Sequence, residues 1–434
     1  MSATDAAECH FRAFLWWAGH VEANEGNQFP GDPPCSAAIQ RVVPHINRDQ
    51  RRARLARRHL LTTSGSNPTE VARALVALHS SDPVTVYLSV WARVAGFEVP
   101  DLESALYVGR SLVRHIGMRR TLWVVDREML PILVASSTRV IAERERRRSI
   151  EIIEKGEISD DGAAWLDSMM RRTLAAVRDN GELFARDLSR QFPELAQKIV
   201  FRNKAGKVQG TIGMSSRTLF QLAMESKVVR ASPAGSWVNG QYSYVETERW
   251  LGGPIEEVPI DVACAVLVRS WLYSFGPATE VDLVWWTGWP VTRVRKALAD
   301  VGAVAVSLDD DKLGYLLPDD LDPVAPPGPW IAFLPSLDPT TMGWKERDWY
   351  LGEHYPKLFD RNGNAGPTVW VDGRVVGGWA QRRDGRVVYE LLEEVGAEAR
   401  SAIASRGDEL ERWLGDVRVT PRFRSPHDKA LAPP

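Results

Sequence analysis

Ile260-Asp-Val-Ala-Cys-Ala-Val-Leu-Val-Arg-Ser-Trp-Leu-Tyr-Ser-Phe275, then Gly276-Pro277, then Ala278-Thr-Glu-Val-Asp-Leu-Val-Trp-Trp286, sets out a plan that the rest of the chain repeats. The first segment is apolar at helical spacing over four turns and reads as a buried helix. Gly276-Pro277 breaks it, because proline lacks the amide hydrogen a helix needs and clashes with the preceding turn. A short helix over 278–286 and a third over 290–301 follow, and strands 303–308 and 313–317 flank the turn Asp309-Asp-Asp-Lys312. Three helices and a two-stranded ribbon outline a winged helix.

Two earlier regions follow the same order. In the middle one, helices are expected over 163–177, 182–191 and 214–226, with 227–230 paired to 241–244 across Pro233-Ala-Gly-Ser236. In the first, they are expected over 52–61, 68–79 and 83–94, with a ribbon inside 112–125. There Asn67-Pro68-Thr69-Glu70 reads as an N-cap, a proline at the first helical position and a capping glutamate. Val71, Ala74, Leu75 and Leu78 make one apolar stripe and Val84, Tyr87, Leu88 and Trp91 the next, either side of His79-Ser-Ser81-Asp-Pro83. His79 and Ser81 fall in the break and are expected to escape the core.

Past Pro326-Pro-Gly-Pro329 the composition shifts to strands at 330–334, 368–371, 374–379 and 386–389, with Asp372-Gly373 and Asp384-Gly385 as hairpin turns and a closing helix at 398–413. The expected fold is α+β, mostly α with β: three tandem winged helices over 51–158, 159–256 and 257–322, then a small β-rich, barrel-like domain over 323–434. Residues 1–50, mixed in Gly, Pro and Asn, read as a poorly ordered extension.

With 434 residues, 44% hydrophobic and 25% charged, the chain has the composition of a soluble multidomain protein. Three cysteines without a Cys-x-x-Cys pair argue against a disulfide scaffold or structural zinc and for a reducing, cytoplasmic setting. No signal peptide or membrane span is read. The net charge of −2 offers no global attraction to a polyanion, so nucleic-acid binding would have to come from local basic patches. Histidines do not cluster at metal-ligand spacing, and phosphate-cradling glycine loops and a nucleophile elbow are absent; no metal and no cofactor are expected.

Ala77-Leu-His-Ser-Ser-Asp-Pro83 with Arg93, Gly117-Met-Arg-Arg-Thr-Leu-Trp123, Phe275-Gly-Pro-Ala-Thr279 with Trp286, and Leu334-Pro-Ser-Leu-Asp-Pro339 with Val371-Asp-Gly-Arg-Val-Val-Gly377 resemble, in order, the winged-helix family that contains the AlkZ-like and YcaQ-like DNA glycosylases. The resemblance covers about 52–424. It implies a DNA channel lined by the winged helices, double-stranded DNA as partner, a monomer, and excision of alkylated purines or unhooking of interstrand crosslinks. The family's catalytic signature at the helix junction is glutamine, any residue, then glutamine or aspartate; this chain has His79, Ser80 and Ser81.

An N3- or N7-alkylated purine is already cationic and leaves readily, so the enzyme need only place water and stabilise an oxocarbenium-like sugar. A neutral histidine near its ordinary pKa of about 6.5 can accept a proton from that water and a serine can orient it. An imidazolium would instead repel the sugar cation. The plainer reading of His79 is a helix-end residue against terminal carbonyls, and of Asp82 a cap for the helix at Pro83. If the chemistry is absent, the alternative is a non-catalytic DNA-binding module that senses or shields damage or regulates transcription.

Arg51, Arg52, Arg54, Arg57 and Arg58 form a dense run, and Arg114, Arg119 and Arg120 lie in the following ribbon; these are expected phosphate contacts, with a solvated helix face or salt bridges to the many carboxylates as the alternative. Arg217 in the middle region and Arg293, Arg295 and Lys296 in the last lie on third helices, which in a DNA reader face a groove. The polar insertion 201–209 reads as a hairpin able to reach into DNA, or as a surface loop. Trp123, Trp237 and Trp379 are expected in the core.

Overall fold

The computed structural model describes residues 43–202 and 206–433. The first group of elements comprises helices α1 (Arg48–Arg58), α2 (Pro68–Ala74) and α3 (Pro83–Trp91). Its sheet holds strands β2 (Leu78–His79), β3 (Leu112–Gly117) and β4 (Thr121–Asp126) in the order β2-β4-β3. The cap works as its chemistry requires: the Asn67 side chain accepts the Glu70 amide hydrogen (3.0 Å), and the Glu70 carboxylate reaches back to the Ser66 amide (2.6 Å).

The long helix α4 (Arg139–Lys155) leads to the second group, with α5 (Gly162–Asn180), α6 (Ala185–Gln191) and α7 (Met214–Met224). Strands β5 (Lys198–Arg202) and β6 (Val208–Gly213) form a hairpin between α6 and α7, and 203–205 at its tip lie outside the described residues. Strands β7 (Val228–Pro233) and β8 (Tyr242–Glu246) form the ribbon, with Val229 opposite Val245.

Helices α8 (Ile260–Phe275), α9 (Glu280–Thr287) and α10 (Val291–Asp300) precede the antiparallel pair β9 (Val304–Leu308) and β10 (Leu313–Leu316). Residues up to 50 were expected to be poorly ordered; 1–42 lie outside the described residues, but 43–50 belong to the fold. Strand β1 (His45–Ile46) pairs in parallel with β9, and Ile46 is buried with Val306, Leu308 and Leu316. The edge of β9 supplies backbone partners that composition cannot reveal.

The last group is an antiparallel meander of β11 (Ile331–Leu334), β12 (Thr368–Val371), β13 (Arg374–Gln381) and β14 (Val387–Leu391), paired in chain order. The expected barrel-like closure does not occur. Helix α11 (Ala397–Leu414) lies across the sheet and packs Ile403, Leu410 and Leu414 into the cluster holding Phe333, Val369 and Trp379. It buries the face that curling into a barrel would have enclosed. At the β12–β13 turn, Asp372 and Gly373 both take positive φ (47° and 81°), the conformation a tight two-residue hairpin demands. A Cβ on Gly373 would meet the Arg52 side chain at 2.6 Å, so α1 sits directly on this turn.

Burial ties the groups together unequally. One cluster joins Leu55 and Trp123 of the first group to Trp271 and Phe275 of the third and to Trp344, Trp349 and Trp370. A second joins Leu75, Tyr87 and Trp91 to the last sheet and α11. The second group has its own cluster around Leu166, Met214 and Leu222, capped by Ile116 of β3. Trp123, Trp237 and Trp379 are all buried in these clusters.

Candidate active site

Helical spacing predicted that α2 would run to His79. It ends at Ala74, and Val76 turns the chain with φ 63°, a conformation a β-branched residue rarely adopts. Leu78 and His79 then pair with Val124 and Trp123 of β4, and the Ser80 amide donates to the Leu122 carbonyl (2.8 Å). Leu78 keeps its place in the core because a strand delivers it there as well as a fourth helical turn would. His79 is therefore not a helix-end residue.

Nor does His79 escape the core. It is 6% exposed, and its ring stands edge-on to Trp123 with centroids 5.1 Å apart. Burial, and then the Arg119 charge, push its pKa down to about 3. The ring is thus neutral across the physiological range, which removes the repulsion an imidazolium would exert on a sugar cation but leaves a weak base. The Ser81 amide approaches its Nδ1 at 3.5 Å, an arrangement that places the proton on Nε2. Ser81 itself is half-buried.

Asp82 caps α3, as expected. One oxygen accepts from the Val84 amide (3.2 Å) and the other from the Arg422 amide (2.7 Å), so both are engaged in holding backbone. Burial raises its pKa. Behind the junction Arg114 is buried, donating from Nε to Ser80 Oγ (2.9 Å) and from Nη1 to the Tyr107 hydroxyl (3.0 Å), with Tyr242 under its guanidinium. Two of its nitrogens are thus spent on side chains within the protein, one of them the Ser80 hydroxyl of the junction.

Four of the five arginines in the run on α1 are engaged within the protein, Arg54 and Arg58 in salt bridges to a carboxylate. Arg54 is fully buried, with Nη1 2.7 Å from Asp320 Oδ1 and Nη2 donating to the Asp322 carbonyl (2.7 Å). Arg58 shares that Asp320 oxygen (2.5 Å) and donates to the Gly276 carbonyl. Arg51 is buried over the Trp349 ring, 4.1 Å from its centroid, and Arg52 donates to the Trp349 carbonyl. The reason is the clamp of α1 between the third group and the last one. Arg57 is exposed.

The remaining basic residues scatter. Arg217 is buried against Glu145 and Ser149, and Arg120, though exposed, reaches the same Glu145 (3.1 Å). On α10, Arg295 pairs with Glu280 and Lys296 with Asp300, both exposed, and Arg293 is half-buried. Only Arg114 and Arg119 of the predicted cations are brought to the His79–Ser81 junction among the described residues.

Two features escaped sequence reading. Arg93 and Asp338 form a fully buried two-pronged ion pair (2.7 and 2.9 Å) that ties α3 to the loop after β11. Arg347, buried near Arg119, was not singled out because nothing in Lys345-Glu-Arg347-Asp distinguishes it from a surface run. Among the described residues no cluster of His, Cys, Asp or Glu is arranged to hold a metal, and no helix is long and apolar enough to cross a membrane.

A family model described as DNA glycosylase AlkZ-like matches residues 72–413. Among solved structures, the Streptomyces sahachiroi DNA glycosylase AlkZ superposes with a TM-score of 0.65 at 17% sequence identity, over 87% of this chain and 99% of that one. No curated protein matches by sequence. The matched span begins within α2 and takes in the junction, the ribbons of all three groups and nearly all of α11, and on that span the chain belongs to the AlkZ-like family of DNA glycosylases.

Proposed function

We propose that this chain binds double-stranded DNA through tandem winged helices and releases alkylated purines, or unhooks crosslinked ones, with water held by His79 and Ser81. What carries the reading is the coincidence of a family match over 72–413 with a neutral imidazole at the position where the family resemblance implies a glutamine. A neutral ring donating from Nε2 can orient water much as an amide does, and a cationic leaving group needs little more from a base. The divisions 51–158, 159–256, 257–322 and 323–434, a monomeric state and a cytoplasmic setting go with this reading. Arg57, Arg119, Arg120 and Arg293 are the phosphate contacts it retains.

Base release from a duplex carrying N7-methylguanine, followed in single turnover, tests it. His79→Ala is expected to slow release by about 100-fold or more, and His79→Gln to retain most of the rate. Between pH 6 and 8 the rate should be flat, because His79 takes up no proton there; a histidine with the ordinary pKa of about 6.5 would lose activity toward pH 6. Duplex binding without base loss in the wild type supports the second reading, a non-catalytic DNA-binding module. That reading is favoured by one observation, the nearly complete burial of His79.

A further inference from the structure

Two guanidinium groups beside the junction lack the carboxylate and carbonyl acceptors that Arg54, Arg58, Arg93 and Arg217 have, a state shared among the described residues by Arg51 over Trp349. The side chains of Arg119 and Arg347 make no hydrogen bond or ion pair among the described residues, and Nε and Nη1 of Arg347 are buried without an acceptor. Aromatic rings hold them: Trp285 lies 4.2 Å from the Arg119 guanidinium and 5.0 Å from that of Arg347, and Phe359 lies 4.7 Å from the latter. Ring faces balance part of a cation's charge but accept none of the hydrogen bonds along its edge. The backbone is shaped to the same end, since Arg119 and Arg120 both take positive φ (54° and 62°) and Gly288 leaves room that a Cβ, 3.1 Å from Arg119 Cγ, would fill.

Like charges brought together without a carboxylate repel, and Arg119 shows it: burial and then Arg347 push its pKa down to about 10. An anion resolves both the repulsion and the unspent donors, and the planar fork of arginine matches the oxygens of a phosphate. The site is next to the junction, because Trp123 contacts both His79 (5.1 Å) and Trp286 (6.0 Å), the neighbour of Trp285.

We propose that Arg119 and Arg347, gathered over Trp285, form a built site for one phosphate group of the DNA strand whose sugar lies at His79 and Ser81. The inference rests on the DNA-binding reading above. Filling the site would also cancel the positive charge nearest His79, where a sugar cation has to form.

Thermal unfolding with inorganic phosphate or pyrophosphate, at ionic strength held constant with chloride, reads the site directly. The wild type should gain several degrees at millimolar anion. Arg119→Gln should lose that gain while unfolding no earlier than wild type without anion, because it removes a repulsion. Binding to an undamaged duplex reads the source of the phosphate: in Arg119→Gln the slope of log affinity against log salt should fall by about 0.9, one phosphate's worth, and Arg119→Lys should keep the slope. An earlier unfolding of Arg119→Gln with the anion gain intact would overturn the site and leave a purely structural stack. A lost anion gain with an unchanged salt slope would overturn the assignment to DNA and leave a free-phosphate site. Neither measurement depends on base release, and a wild type that ignores DNA but gains stability from phosphate would overturn the DNA-binding reading rather than the site.

Discussion

Replacing Asp338 with alanine is expected to cost about 3–5 kcal/mol of folding stability, the range for breaking a buried ion pair from one side. Asp338 and Arg93 are both fully buried. Arg93 donates to both Asp338 oxygens, to Thr340 Oγ1 and to the carbonyls of His59 and Ser89, while Asp338 also accepts from the Ser89 hydroxyl and the Thr340 amide. Alanine would strand a guanidinium in a site closed to solvent and undo the join between α3 and the last sheet. The urea midpoint should fall steeply in Asp338→Ala and in Arg93→Met. The double variant Arg93→Met, Asp338→Leu should be less destabilised than either single change, because it leaves no unpaired charge. A loss below about 1 kcal/mol in Asp338→Ala would mean that the network does not hold the two groups together.

Acid should weaken the fold well before carboxylates are exhausted. Burial lowers the pKa of His427 and, most strongly, of three other histidines: His59 well below the ordinary value, His79 to about 3 and His115 to about 4. Each stays neutral in the native state while the unfolded chain takes up a proton near pH 6.5. Their contribution is therefore complete above about pH 6.5 and is lost as pH falls from there toward the native values. At pH 5.5 His79 and His115, with native values of about 3 and 4, are one unit inside that window and together remove about 3 kcal/mol relative to pH 7.5, and His59 and His427 act in the same direction. Asp82 and Asp282, whose carboxyl pKa values burial raises, offset part of this at the acid end. The urea midpoint measured at pH 7.5 and 5.5 reads the effect, and His115→Asn should shrink the difference. His115 is a suitable probe because its ring nitrogens bond to the Ile116 carbonyl and the Ser226 hydroxyl and not to His79, Ser80 or Ser81. Equal midpoints at the two pH values would show that these rings titrate normally.

The run of α1 shows where sequence reading stops. Arg51, Arg54 and Arg58 recur at the spacing of a buried helical stripe, yet charge made them read as an exposed patch. What buries them is Asp320 and the Trp349 ring, more than two hundred residues away, and no local pattern announces a partner at that distance. The junction failed in a related way. A period of 3.6 placed Leu78 correctly in the core but could not say whether a helix or a strand brings it there, and that choice decides whether His79 is exposed.

By itself the sequence determined the order of helices and ribbons, the Asn67 cap and the glycine turn of the last sheet, because each depends on contacts within a few residues and on backbone preferences that side chains impose locally. It also carried the family resemblance, and with it the position of His79 and Ser81. Only the tertiary structure decided which charges face solvent, that His79 is sunk and neutral, that Arg93 meets Asp338, and that Arg119 and Arg347 share one ring. Burial and electrostatics are set by what lies opposite in space, and a side chain's neighbours across the fold are the one thing its neighbours along the chain do not encode.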